Sequence, residues 1–339
     1  MTAFEKTAVL GGGVIGSSWT ALFLAAGKDV CVFDIDDQAP AAVTRYIERA
    51  WPTLLELGLA QEGRYGNLSF AETIEAAVDQ ADFVQENLPE RIDVKLEAFG
   101  KIEPHLKDTC IVASSASGLM VREMQAGWQD SSRFVLGHPF NPPHLIPLVE
   151  VIGNEQTAPE ALDAAEMFYA EVGKVTIRLN KEVPGHVANR LQAALWREAL
   201  HLVKEGVASV EDVDTAVWAG PGLRWGAMGP HMLFHLGAGE GGMAAFCARY
   251  AESFHRWWDD LGDPRLDENI GALLAAGLED EAGGQSLEKL GAARDALILA
   301  HLKAVRGLRG ESRSNAALAS GRLEVRKGRA GKGGTFDLD

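Results

Sequence analysis

The stretch GHPFNPPHLIPLVEVI, residues 137–152, places a histidine and a glutamate twelve residues apart, His138 and Glu150, around a rigid diproline. An imidazole titrates near neutrality and can take the proton of a hydroxyl. A carboxylate on its other ring nitrogen would fix the tautomer and stabilise the imidazolium that forms. Glu150 lies inside the apolar run LVEVI, where an unpaired charge costs several kcal/mol. Pairing with His138 would offset that cost. The residues alone also allow a histidine satisfied by backbone, with Glu150 at a strand edge.

A second chemical signal lies near the start. Gly11, Gly13 and Gly16 fit G-x-G-x-x-G, with Val14 and Ile15, between the second and third glycines, as further cofactor-binding candidates. In such a turn the first glycine allows the tight bend. The second lets a pyrophosphate approach the backbone, and the third lets helix and strand pack closely. The helix N-terminus offers free N–H groups and partial positive charge to phosphates. Eighteen residues past Gly16 stands Asp34, placed to accept from both ribose hydroxyls and to repel a 2′-phosphate. The next arginine is Arg45, too far on to rescue NADP. The cofactor expected is NAD.

The elements that must position these groups follow from patterning. KTAVLGGGVIGSSWTALFLAAGKDVCVFDIDD reads as strand, glycine turn, helix over 17–26 ending at Gly27, and strand. Strand-like runs follow at ADFVQENL, CIVASSA, RFVLGHPF and LVEVIG, with a helix expected over 92–105. This alternation predicts an α/β fold with a mostly parallel sheet. After Pro184-Gly185 it stops, and helices are expected over 186–205, 210–217, 229–260 and 285–307. The organisation read from this is a dinucleotide-binding domain over 1–185 and an all-α domain over 186–310. Residues 311–339, without hydrophobic period, read as a mobile tail or an intersubunit clamp.

Composition narrows the partners. A chain of 339 residues with 47% hydrophobic and 24% charged residues has enough apolar material for a real core. The net charge of −16 argues against nucleic acid as a partner and mildly favours a cationic small molecule. Cys31, Cys110 and Cys247 form no CxxC pair and no metal spacing, which fits reduced thiols in a cytoplasmic protein. Cys31 and Cys110, in strand-like runs, are expected to be inert. No signal pattern opens the chain, and no apolar run approaches the ~18 residues needed to cross a membrane.

Four motifs together, SSASGL (114–119), GHPFNPP (137–143), LVEVI (148–152) and VPGHVANRL (183–191), resemble in order and spacing the 3-hydroxyacyl-CoA dehydrogenase family. The likeness runs from residue 5 to about 260. It implies a Rossmann-type NAD-binding domain followed by an all-α domain that mediates dimerisation, hence a homodimer. It implies His138 as base, Glu150 as its orienting acid, and Ser117 and Asn189 as holders of the substrate oxygen. QENLPERIDVK resembles the family's segment near the nicotinamide, which puts Glu90 and Lys95 beside the cofactor, with Asn87 and Pro89 shaping the loop.

The departures bear on substrate. Residues 36–66 hold three arginines (Arg45, Arg49, Arg64) against five acids, a poor match for the phosphates of CoA. HPFNPPHLIPLVEV looks instead like the branch acting on small free hydroxy acids, among them L-gulonate and L-carnitine. GPGLRWGAMGPHMLFHLGAGEGGM and the later WWDDLG look like the carnitine-oxidising members. A trimethylammonium group donates no hydrogen bond and is held by aromatic faces and a nearby acid. Trp218, Trp225, Phe234, Phe246, Tyr250, Trp257 and Trp258 crowd this segment, with Glu240 among them. Trp225, Phe246 and Tyr250 are the cage candidates and Arg224 the candidate partner of a substrate carboxylate. Aromatics at helical spacing also serve as core, and Arg224 also reads as a surface cation. A lambda-crystallin-like structural protein or an NAD-responsive sensor could keep the fold without turnover. The intact Ser117, His138, Glu150 and Asn189 favour an enzyme.

Overall fold

The computed structural model describes residues 4–60 and 67–308; residues 311–339, read above as a tail or clamp, lie outside them. The first half runs β1 (Lys6–Leu10), α1 (Val14–Ala25), β2 (Asp29–Phe33), α2 (Ala39–Glu56), β3 (Leu68–Phe70), α3 (Ile74–Val78), β4 (Phe83–Glu86) and α4 (Ile92–Ile102). It continues with β5 (Ile111–Ser114), α5 (Val121–Gln125), β6 (Phe134–Pro139), β7 (Leu148–Ile152), α6 (Pro159–Glu171) and β8 (Val175–Arg178). The eight strands form one sheet in the order β3-β2-β1-β4-β5-β6-β7-β8. All neighbours are parallel except β6 and β7. The order reverses direction between β1 and β4, the point where α/β sheets open a crevice at their carboxyl ends.

Successive strand residues face opposite sides, so each strand feeds two cores. On one side Phe83 stacks on Phe168 at 3.9 Å, and Trp19, Phe23 and Tyr169 close around them. On the other, Val84, Val112 and Leu136 pack with Phe99, Met124 and Phe134. Both faces are therefore covered, as near-continuous apolar strands require. Cys110 is buried just before β5, and burial pushes its thiol up to about 12, which makes it inert; Cys31 is half-buried in β2.

Beyond Arg178 the chain turns through Gly185 (φ +74°) and His186 (φ +54°) into α7 (Ala188–Lys204). Then come α8 (Val210–Ala219), α9 (Pro221–Ala227), α10 (Pro230–Gly237), α11 (Gly242–Asp260), α12 (Glu268–Ala282) and α13 (Leu287–Leu308). The fold is thus a Rossmann-type, mostly parallel sheet followed by helices. Three local expectations change. The helix expected over 229–260 is two, because GAGEGG takes positive φ at Gly239 and Gly242 and breaks the ladder. The helix over 92–105 ends at Ile102, with a 3₁₀ turn over Glu103–His105. Strands β3 and β8 and helices α9 and α12 are not among the elements expected. Among the described residues no helix is long and apolar enough to cross a membrane.

Candidate active site

The glycine turn is built as the motif requires. Gly11 holds φ +91°, and a Cβ there would meet the Asn87 carbonyl oxygen at 2.7 Å. A Cβ on Gly16 would stand 1.8 Å from the Gly11 carbonyl oxygen, so helix and strand pack against bare backbone. Nothing lies within 4 Å of where a Gly13 Cβ would be, and no side chain caps the α1 N-terminus there. That open, donor-rich corner suits a pyrophosphate. Val14, next in line, is 61% exposed. Asp34 follows β2 at the far side, its carboxylate accepting from Gly12 N at 2.6 Å and Asp36 N at 2.9 Å. These residues fit a dinucleotide.

The next layer fixes the floor of the crevice. Tyr169 donates to Gln85 Oε1 at 2.7 Å; Gln85 donates to Ser115 Oγ at 2.9 Å, and Ser115 donates to Asn87 Oδ1 at 2.7 Å. Beside it, Lys95 and Glu86 form a fully buried ion pair at 2.6 Å. Leu88 N and Ser114 Oγ also donate to Glu86, and Lys95 donates to the Leu88 carbonyl. A buried pair survives only when its remaining groups are bonded in this way. Glu90 Oε1 accepts from three backbone N–H groups, Ser117, Gly118 and Leu119, at 2.7–3.1 Å. Both Glu90 and Lys95 line the crevice, yet each holds protein first: Glu90 the serine loop, Lys95 the end of β4.

The antiparallel register of β6 and β7 sets His138 directly opposite Glu150. His138 Nδ1 lies 2.8 Å from Glu150 Oε2. Glu150 Oε1 accepts from Val187 N at 2.9 Å and Ala188 N at 3.0 Å, so the acid also caps the first turn of α7. Burial alone would push the Glu150 carboxyl up, but the His138 bond and the two N–H donors hold it below the usual carboxylate range. The side-chain arrangement needed for an oriented base is present. His186, absent from the sequence reading, packs its ring 5.1 Å from that of His138; burial lowers its pKa. Lys174, on the strand entry of β8, donates to the carbonyls of Pro143 and Ile146 and so pins the loop after His138.

These parts enclose a cavity of about 500 Å³. One part of its lining is Ile15 on α1, Asn87, Leu88 and Glu90 after β4, Lys95 on α4 and Ser115 after β5. The other part is Ser117, His138, Pro139, Phe140, Asn141, Asn189 and Gln192. The structure therefore brings together Ser117, His138 and Asn189 from three distant segments, with Glu150 behind the histidine. It does not bring Arg224, Trp225, Phe246 or Tyr250 into the lining. They sit on α9 and α11, where Phe246 packs on Phe234 (4.7 Å) and Tyr250 (4.9 Å). The aromatic ring in the lining is Phe140, whose motif was noted for its histidine and not for its phenylalanine. Gln192 was also missed; a glutamine on a helix carries no signal of its own.

Comparison with known proteins accords with this geometry. The model of the 3-hydroxyacyl-CoA dehydrogenase NAD-binding domain matches residues 6–183, and that of the family's C-terminal domain matches 185–267. The L-carnitine dehydrogenase of Streptomyces coelicolor is 44% identical over 300 residues, covering 88% of this chain and 94% of that protein. That of a Pseudomonas species is 42% identical over 305 residues, covering 90% and 95%. Among solved structures, 5-formyl-3-hydroxy-2-methylpyridine 4-carboxylic acid 5-dehydrogenase, an NAD+-dependent dismutase, superposes with a TM-score of 0.78. It is 28% identical, over 91% of this chain and all of that one.

Proposed function

Because the chain belongs to the 3-hydroxyacyl-CoA dehydrogenase family of NAD-dependent oxidoreductases, we propose that it oxidises the 3-hydroxyl of L-carnitine to 3-dehydrocarnitine. The observation that carries the chemistry is the His138–Glu150 pair, whose histidine lines the cavity. Nδ1 of His138 is committed to Glu150, which leaves Nε2 to take the hydroxyl proton. Glu150 stays ionised and stabilises the resulting imidazolium. Ser117 Oγ and the Asn189 amide hold the oxygen as it becomes a carbonyl. NAD, held by the glycine turn and Asp34, supplies the acceptor for the hydride leaving the carbinol carbon. Glu90 acts by fixing the Ser117 loop, and Lys95 by fixing the strand end under the nicotinamide.

Three features support carnitine over an acyl-CoA. The relatives at 44% and 42% identity bear that substrate's name. Among the described residues lining the cavity, Lys95 is already bonded to Glu86, so polyphosphate finds no free cation. Phe140 lines the cavity, and an aromatic ring there suits a quaternary ammonium. The proposal extends to a homodimer working in the cytoplasm, whose second copy brings the rings of Trp225, Phe246 and Tyr250 over the cleft. Tyr250 (36% exposed), Trp225 (38%) and Trp257 (57%) support this, since one chain leaves them uncovered. Initial rates of NADH formation with L-carnitine, L-gulonate and 3-hydroxybutyryl-CoA test the substrate. Carnitine is expected to give the highest kcat/KM; a higher value for either rival overturns the assignment.

A further inference from the structure

The carboxylate of a small zwitterionic substrate needs partners, and the substrate end of the cavity supplies them in an unusual form. Arg224 is not in the lining, and Lys95 there already serves Glu86 and the Leu88 carbonyl. Glu90, also in the lining, carries negative charge. A carboxylate entering this cleft therefore meets neutral donors. Asn189 and Gln192 lie three residues apart on α7, which puts their side chains on one face, ~5–6 Å apart at Cβ. Asn189 is proposed above to hold the reacting oxygen. In a 3-hydroxy acid one methylene separates the carbinol carbon from the carboxylate, a spacing that one further helix turn can serve. The Gln192 side chain is exposed in the cleft and has no protein partner among the described residues.

We propose that Gln192 is a specificity-determining residue, its amide N–H donating to the carboxylate of the 3-hydroxy acid while Asn189, one turn before it, holds the hydroxyl oxygen. This rests on the dehydrogenase reading above. A neutral donor suits a zwitterion better than an arginine, because it bonds the carboxylate without repelling the substrate's own cation. The residues that α7 contributes to the lining thus include no cation for a phosphate. The helix ties this contact to the base: Glu150 caps the first turn of α7, so the helix that presents Gln192 is docked on the residue that orients His138.

The test compares L-carnitine with L-carnitinamide, in which a neutral amide replaces the carboxylate, in wild type, Gln192→Leu and Gln192→Glu. Gln192→Leu is expected to raise KM for carnitine roughly tenfold, the loss of one charge-assisted hydrogen bond, with kcat within about twofold. Its KM for carnitinamide should change little. Gln192→Glu should raise KM for carnitine further, by charge repulsion, and leave carnitinamide equal or better, since a carboxylate accepts from the amide. A helix residue of purely structural importance would move both substrates together. Equal effects on the two substrates, or an unchanged KM for carnitine in Gln192→Glu, overturn the inference. If wild type turns over a different 3-hydroxy acid and not carnitine, the substrate reading fails, and the same variants are judged on that acid against its amide.

Discussion

The sheet half and the helical half of this chain handle apolar surface in opposite ways. In the sheet half, Trp19, Phe23, Phe83, Phe168 and Tyr169 are fully enclosed, and even ionic groups such as Glu86 and Lys95 are buried with partners. In the helical half, Leu200, Val210, Val213 and Ile270 are the buried hydrophobics among the described residues. Leu191, Trp196, Trp218, Met232, Trp257 and Trp258 are exposed there. The sheet half is a finished scaffold that holds the His138–Glu150 pair in its interior. The helical half is an unfinished surface, and its finish is proposed to come from a second copy. Catalytic geometry and substrate recognition therefore fail by different routes, and experiments can separate them.

The largest effect should fall on the sheet half. His138→Gln should lower kcat by ~10²–10⁴, the range for a positioned general base, and leave NAD affinity unchanged. Stopped-flow kinetics and NAD titration check both. Near wild-type turnover would remove the base from the mechanism. Glu150→Gln should lower kcat by a smaller factor, because an amide still orients the ring and cannot stabilise the imidazolium.

The helical half is tested by mixing. Tyr250→Ala should lower kcat/KM for carnitine by ~30-fold if a desolvated cation–π contact of ~2 kcal/mol is lost. Equimolar His138→Gln and Tyr250→Ala chains, refolded or co-expressed, should regain roughly a quarter of wild-type activity, the statistical share of sites with both groups intact. Activity equal to the mean of the two variants alone would place Tyr250 in its own chain's site or outside any site.

How legible this division was depends on range. The glycine turn, Asp34 and the alternation of strands and helices are local patterns, and the structure has them where they were read. His138 and Glu150 could be suspected because an acid in LVEVI needs a partner and the two strands lie close in sequence. Residues with distant partners are legible only in part. Lys95 is assigned to the cofactor from its motif, and the fold adds a bond to Glu86 at the place where Lys95 lines the cavity. Glu90 was placed at the nicotinamide, and only the fold aims it at three N–H groups of the serine loop. Phe140 and Gln192 enter the lining because β6 and α7 converge, which no single segment encodes. The aromatics of 218–258 were legible as a cluster but not as a location, since one sequence does not say which copy they face.

Smaller effects refine the sheet half. Asp34→Ala should weaken NAD roughly tenfold and partly relieve the exclusion of NADP, because the carboxylate both bonds the ribose and repels the extra phosphate. Unchanged constants for both cofactors would assign the ribose to another residue. Last is pH. Burial lowers the His144 imidazole to about 4 from its ordinary 6.5. Between those values the unfolded chain binds more protons than the folded one, so stability should fall as pH drops through this window. His144→Asn should flatten that part of the curve in urea melts; an unaltered slope would mean that His144 does not set it.

The central claim is that the cleft reads a quaternary ammonium while His138 takes the neighbouring hydroxyl proton. Its most direct measurement is kcat/KM for L-carnitine against the uncharged isostere in which tert-butyl replaces trimethylammonium, both with NAD. The account predicts a preference for carnitine of at least ~30-fold, the equivalent of ~2 kcal/mol from the aromatic faces, and loss of turnover on both substrates in His138→Gln. Equal kcat/KM for the two would contradict it.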